Sequence, residues 1–505
     1  MSTPSPGGGR RVRVEPRRAS APVDRRPLLL AVVVVLVAAL LLGVSSLRGA
    51  TPDEPAAAPS PTAVTTVSTT CPVPGVGERR PDQVGLVTGS ADVGVRREGD
   101  GTRTARVLPG GGEVAAVTGA EPGAWTSTTV PSSDALAVAL GARGSLAPGA
   151  VGLTAAVAPA GLGGGLAAAD CAAPARDRWF VGAGTSAERA GTLVLANPGE
   201  GPAVVDVSLH GADGEIETVG GAGVVVDPGA TREVALDDLA AGTDDVAVEV
   251  VTRRGAVGAA LLDSAVSADA QPGTDWVPAA ASPSRRQVVP GGLRGADSRS
   301  LTVANPGPRT ATVQVEVLGP DGRYAPRGAE ELQVPAAGIA SIDLPGSVSA
   351  APFGVALTST EPVTGGLESR VGDDAVHTAA TPEARAPVAV PVAVPVGSGS
   401  ATVTVQLSAA DDAPASTVAV RGYDAAGEEV ARGRVQVPAG ASVALDPSAA
   451  GALEGEAGAV VSLVLDPGDV PVHAAAVVRG SGGVSVVPLR SAPGVVAAPA
   501  VSPLP

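Results

Sequence analysis

The chain has 505 residues, a net charge of −16 and 44% hydrophobic residues, yet only 1% aromatic residues. Any core must therefore be built from Val, Ala and Leu. All 35 basic residues are Arg, and the absence of Lys excludes a Walker-type phosphate loop and Lys-based covalent catalysis. Two Cys and three His exclude a zinc-finger array, an iron–sulfur protein and a multi-disulfide scaffold.

Residues 1–26 form a basic tail, with Arg10, Arg11, Arg13, Arg17, Arg18, Arg25 and Arg26 set against Glu15 and Asp24. An uncharged run, PLLLAVVVVLVAALLLGVSSL, occupies 27–47. As a helix it is about 30 Å long, the thickness of a bilayer's hydrocarbon core. The charge bias predicts a single transmembrane helix with the N-terminus cytoplasmic and the bulk of the chain outside the cell membrane. A cleaved signal peptide ending near Ala56–Ala58 is the competing reading, but the apolar run is long for one. Arg25-Arg26 also faintly resembles a twin-arginine export signal. From Pro27 onward the chain has 28 basic and 49 acidic residues, an acidic balance that argues against nucleic-acid binding. Residues 48–70 are rich in Pro, Ala, Ser and Thr and are expected to form an extended stalk, with threonines such as Thr69 and Thr70 open to O-linked sugar.

Internal repeats dominate the remainder of the chain. TLVLANPGEGPAVVDVSLHGADGEIET (192–218) matches SLTVANPGPRTATVQVEVLGPDGRYAP (300–326). The turns Asn197-Pro198-Gly199 and Asn305-Pro306-Gly307 lie 108 residues apart, as do Asp213-Gly214 and Asp321-Gly322. Trp179 and Trp276 read as repeat-equivalent residues upstream of these turns, each plugging its own core. Residues 401–430 carry a third copy without the Asn, in which Gly427 aligns with Gly214 and Gly322, and 71–171 read as a diverged fourth unit. Val205, Val207 and Leu209, like Val313, Val315 and Val317, alternate with polar residues as in a half-buried strand. In Asn-Pro-Gly, Pro fixes φ and Gly accepts a positive φ; Asp-Gly between strands signals a hairpin. The fold expected is all-β: tandem antiparallel β-sandwiches of immunoglobulin-like type after the transmembrane helix. The sandwiches span 71–175, 176–273, 274–382 and 383–490, and 491–505 form a flexible tail. The proline-punctuated segment 387–395 is either a joint or an edge strand.

Cys71 and Cys171 flank the first unit, 100 positions apart. In an exported segment they are expected to form a disulfide, worth about 4–5 kcal/mol on a chain-entropy model. His210, His377 and His473 fall at different repeat positions, near a hairpin, in a linker and in a closing strand. They form no metal-ligand spacing and are read as structural or solvated. The pairs Asp237-Asp238, Asp244-Asp245, Asp373-Asp374 and Asp411-Asp412 are read as loop charge, without the clustered oxygens a calcium site needs. No catalytic, metal or cofactor-binding residue is assigned.

The basic start, the single anchor, the stalk, the Cys-bounded unit, the Asp-x-Trp-Phe stretch at 177–180 and the two Leu-x-x-Ala-Asn-Pro-Gly-like turns together resemble an actinobacterial family of membrane-anchored extracytoplasmic proteins, the domain-of-unknown-function family DUF5719. The resemblance implies a cell-envelope location and carries no activity. The function expected is a non-enzymatic envelope spacer, scaffold or protein-docking surface. The alternative is a cell-wall polysaccharide binder or accessory to a cell-wall enzyme, which exposed Trp179 and Trp276 would favour. Partners are thus the membrane, through the anchor, and an envelope protein or cell-wall glycan.

Overall fold

The computed structural model describes residues 33–40, 60–75, 80–117, 123–131, 135–158, 164–265, 273–350, 352–410 and 414–498. Two compact units divide the chain: residues 1–60 with 497–505, and residues 61–496. In the first, 33–40 are helical, and the remainder of the expected span 27–47 lies outside the described residues. No helix among the described residues is long and apolar enough to cross a membrane.

Within 61–496 the strands sort into four modules of one topology. The second module shows it in order: Asp177–Ala183, Arg189–Ala196, Ala203–Gly211, Thr231–Ala235, Val246–Arg254, Gly258–Ala265 and Thr274–Val277. One sheet runs first–fifth–third, and the other fourth–second–sixth–seventh, all antiparallel. The first module repeats this with Thr66–Pro72, Gln83–Ser90, Gly101–Leu108, Trp125–Pro131, Ala137–Gly144, Ala150–Val157 and Leu166–Asp170. In the third, one long strand, Phe353–Val371, serves as both fifth and sixth. Its first half pairs with Ser284–Gly292 and Ala311–Gly319, its second with Ser298–Asn305 and Asp374–Ala379. The fourth begins at Val388–Pro391 and ends at Gly483–Leu489.

Each module is a sandwich. In the second, Phe180, Val205 and Val248 from one sheet meet Leu193, Leu195 and Leu261 from the other in one core. The alternating strands behave as their period requires: Val205, Val207 and Leu209, and Val313, Val315 and Val317, are all buried. Asp213-Gly214 and Asp321-Gly322 close hairpins in which Gly211 faces Gly214 and Gly319 faces Gly322. The strand order is not the immunoglobulin one, in which first, second, fifth and fourth strands share a sheet. Here nearly every connection crosses between sheets. Repeat length reports a sandwich's size, whereas pairing order depends on these crossings.

The modules do not form a beaded row. The first–fifth–third sheet of each module lays its outer face on the fourth–second–sixth–seventh sheet of the next module, and the fourth module's lies on the first. Thr70, Ala137 and Ala139 meet Gly258 and Ala196 at the first junction. Trp179, Val181 and Ala247 meet Ala304, Ile339 and Ala379 at the second. At the third, Gln406 donates to the carbonyl of Phe353 at 2.6 Å, beside Leu293, Val376, Val477 and Val486. At the fourth, Arg421 reaches Asp92 at 3.3 Å, and the Trp125 amide donates to the carbonyl of Ala425 at 3.2 Å. The circle of packed sheets is closed. It needs very close backbone approach in places: a Cβ on Gly85 would overlap the carbonyl of Pro395, and one on Gly258 the side chain of Thr70.

Several expected boundaries move. Thr66–Pro72 is a strand of the first module, so the module begins inside the expected stalk, and Thr69 and Thr70 are buried. Thr274–Val277 completes the second module by pairing with Gly258–Ala265, so the expected start of a unit at 274 falls within a sheet. Trp179 and Trp276 are consequently not equivalent: one lies on a first strand, the other on a seventh. Neither plugs its own core, where Phe180 and Val277 sit instead. Residues 387–395 supply edge strands, the ladder position that tolerates proline. Residues 491–494 of the expected tail are held, with the Ala492 amide on the carbonyl of Pro387 at 2.8 Å.

Gly85→Ala should lower the unfolding free energy by about 1–3 kcal/mol, as overpacking does. Gly112→Ala, where no atom lies within 4 Å of the added carbon, should change it by less than about 0.5 kcal/mol. Denaturant melts of the two variants measure both, and equal midpoints would contradict the tight fourth junction.

Candidate functional site

Chemically competent side chains gather where the modules meet. The seventh strand of each module touches that of the next, the fourth touching the first. At this hub Asp275 of the second module is fully buried. It accepts Ser485 Oγ of the fourth module at 2.8 Å, the His377 amide of the third at 3.2 Å, and its neighbour's Trp276 amide at 2.9 Å. Ser485 Oγ in turn accepts the Ala168 amide of the first module at 3.1 Å. Asp374 of the third module accepts the Val484 amide at 2.8 Å, with the amides of Leu166 and Ala375 also facing it. Each carboxylate thus joins strands that are far apart in sequence. Gly483, at φ 131°, leaves the space that Asp374 fills.

The electrostatics follow from burial and neighbours. Burial, then the charge of Asp374, hold Asp275 well above the usual carboxylate range. Burial pushes Asp374 up to about 6 against the pull of its amide donors. Beside them, Asp263 is equally buried, but Arg189 at 2.6 Å and His377 at 3.5 Å outweigh that burial and bring it down to about 2. Arg189 also reaches Glu368 of the third module at 3.2 Å and Asp245 at 3.4 Å, and Ser341 donates to Asp245 at 3.0 Å. This is an ion network across the second junction.

All three histidines are buried, so the solvated reading is wrong for each. His210 stacks on Trp179 with centroids 5.0 Å apart, and its Nδ1 lies 2.8 Å from the carbonyl of Ala337 in the next module. Burial lowers its pKa, but Glu249 and the Ala337 carbonyl outweigh this and raise it. His377 lies on the strand Asp374–Ala379, not in a linker. His473 sits on Thr381 at 3.0 Å, and burial takes it down to about 4. Among the described residues no group of three or more His, Cys, Asp or Glu is placed to hold a metal ion.

The three tryptophans share one role: Trp276 lies between the first and second modules, Trp179 between the second and third, and Trp125 at the closure of fourth on first. Cys71 and Cys171 form the expected disulfide, with Cα atoms 4.0 Å apart, tying the two sheets of the first module. Asn197 and Asn305 work through their side chains. Asn197 Oδ1 accepts the Gly199 amide at 2.9 Å, and its Nδ2 donates to the carbonyls of Gly201 and Val226 at 2.9 Å. Asn305 does the same with Gly307, Arg309 and Pro335. Gly199 and Gly307 do not adopt positive φ, because the Asn side chain itself closes the turn around Pro198 and Pro306.

Asp263, Asp275 and Arg189 went unread in the sequence. The signal for the two aspartates was an acidic residue inside an apolar run, AALLDSAV and TDWV. Of the acidic pairs, Asp374 and Asp245 belong to the junctions, Asp237 and Asp238 are exposed but lie on the short helix Leu236–Leu239 and not in a loop, and Asp411-Asp412 lie outside the described residues.

The fold defines a class: a closed circle of four antiparallel sandwiches held by buried polar side chains. The chain matches the model of a family of unknown function, DUF5719, over residues 126–448 and belongs to that family. No curated protein matches. A crystal structure of Thermotoga maritima 1070 aligns at 22% identity over 20% of this chain and 94% of its own, with a TM-score of 0.15, too low to bear on the fold.

An Asp374→Asn variant should report the titration of Asp374 together with the lift its charge gives Asp275. The folded value near 6 lies above the unfolded value of about 3.9, so ionisation is costlier in the folded state. Relative to the variant, the parent should therefore gain stability as pH falls from about 7.5 to about 5. His473, held at about 4, contributes stability that is lost as pH falls below about 6.5. That loss is common to both proteins and cancels in the difference. Parallel pH profiles of the two would show that Asp374 is not titrating there.

Proposed function

We propose that this protein is a membrane-tethered, extracytoplasmic, non-enzymatic docking platform for another envelope protein. The uncharged run at 27–47 behind its Arg-rich start supports the tether. The Cys71–Cys171 disulfide supports an oxidising compartment. The observation that carries the reading is the commitment of the candidate chemical groups: the side chains of His210, His473, Asp275 and Asp374 are each buried and bonded to a neighbouring module, and the buried His377 ring faces Asp263 of the second module at 3.5 Å. They act as joinery. A spacer role has less support, since the sandwiches close into one compact unit. The glycan-binding alternative lacks the exposed Trp179 and Trp276 that would favour it.

The surface best suited to a partner is the edge strand Gly101–Leu108. In the second, third and fourth modules a further strand flanks the equivalent third strand, as Gly214–Ile216, Gly322–Tyr324 and Glu429–Val437 do. In the first module Gly101–Leu108 is the sheet edge among the described residues, its second half bonded through Ala105 and Val107 to residues 111–114. Thr102, Thr104 and Arg106 face outward. Such an edge accepts an added strand from another protein.

In intact cells a membrane-impermeant maleimide should label a Thr102→Cys variant as fully as in lysed cells. Labelling only after lysis would overturn the location. A photo-crosslinking residue at Thr104 should capture a discrete protein adduct that one at exposed Asp237 does not; identical adduct patterns would overturn the docking edge.

A further inference from the structure

A recess of about 580 Å³ opens between the first and fourth modules, beside the link that leads into the second. This is within the size range of small-molecule sites. Much of its wall is apolar, including Val67, Leu153, Val390, Pro391 and Leu489, while Thr66, Ser68 and Ser491 add hydroxyls. Three charged residues line it among the described residues: Arg178, Arg490 and Asp170. Arg490 is neutralised by Asp170 at 3.1 Å and also donates to the carbonyl of Ala279 at 2.7 Å. Arg178 is 8% exposed, donates one Nη to the carbonyl of Ala173, and has no hydrogen-bond partner at Nε. Burial, then the charge of Arg490, lower its pKa to about 10, so it stays protonated at neutral pH. Among the described residues the recess therefore keeps one uncompensated positive charge at low exposure, in a chain of net charge −16. A buried cation without a carboxylate of its own is costly unless an anion joins it.

We propose that this recess binds a monoanionic small molecule with an apolar body, such as an arylalkanoic or medium-chain carboxylic acid. Its carboxylate meets the Arg178–Arg490 pair and its hydrocarbon part lies against the Val, Leu and Pro wall. One residual charge selects a monoanion over a phosphate dianion, and the apolar lining selects against small inorganic anions. A planar guanidinium suits a carboxylate. This site stands apart from the docking edge and does not depend on it.

The test is calorimetric titration of the full chain in detergent, with detergent blanks subtracted, using phenylbutyrate, phenylbutanol and phenylphosphate as probes. Phenylbutyrate should bind saturably, and at least about tenfold more tightly than the uncharged alcohol, the scale of one charge-assisted hydrogen bond. Arg490→Gln should weaken phenylbutyrate by about the same factor. Asp170→Asn leaves two positive charges and should shift preference toward phenylphosphate by about tenfold. If Arg490→Gln loses its cooperative melt, the Asp170→Asn arm and the parent's acid–alcohol contrast still decide. No saturable heat from phenylbutyrate, equal binding of acid and alcohol, or an unchanged preference in Asp170→Asn would each overturn the proposal.

Discussion

Burial of both faces of almost every sheet is the constraint on which the rest of this structure depends. With 1% aromatic residues, a single sandwich has little large apolar surface to hide, and Val or Leu contributes only about 1.5–3 kcal/mol when fully buried. One inner face per sheet is a thin core for a module of this size. Laying each outer face on the next module gives each sheet a second buried side. Closing the circle spares the first and last modules an open apolar face. Small residues make the stacking possible, because sheets faced with Ala and Gly approach closely. The three tryptophans fill what gaps remain at three of the four junctions, and Leu293, Val376 and Val486 fill the other.

Polar groups then set how the modules are placed. Apolar faces of Ala and Val slide over one another with little preference, whereas a buried carboxylate has a fixed set of donors to find. Asp275 and Asp374 draw amides and a hydroxyl from strands of all four modules into one arrangement. Arg189, Asp263, Glu368 and Asp245 do similar work at the second junction, where removing Arg189 would leave buried Asp263 without its cation. Buried ions of this kind are expensive, and their use here goes with positional specificity more than with added stability.

The distinction between periphery and centre explains which parts of the fold are legible in the sequence. Third strands such as VQVEV (313–317) have one face toward solvent, so their alternation declares a strand and their 108-residue recurrence declares a repeat. Second and sixth strands are covered on both sides. In TLVLA (192–196), Leu193 and Leu195 face the module core while Val194 faces the first module. HAAAVV (473–478) and LAAA (166–169) likewise show no alternation, because each residue meets an apolar neighbour. Such runs look like nothing more than valine-rich or alanine-rich closing segments, yet the absence of alternation is itself the sign that the outer faces are covered. The disulfide is legible because it needs only two cysteines and a compartment. The hub is not, because Asp275, Asp374 and Ser485 lie 99 and 111 positions apart, and no local rule relates them.

The bond between Ala168 and Ser485 spans 317 positions, and it has a meaning for biogenesis. As the polypeptide emerges, its earliest sandwich is left with Val87 and Ala155 unmated, since the residues that cover them are made last. Nascent intermediates therefore carry a sticky flank for most of translation, the kind of surface that chaperones shield and that invites mispairing between neighbouring chains. A chain truncated ahead of its fourth module would keep that flank bare for good, so quality control has a simple cue separating finished molecules from unfinished ones.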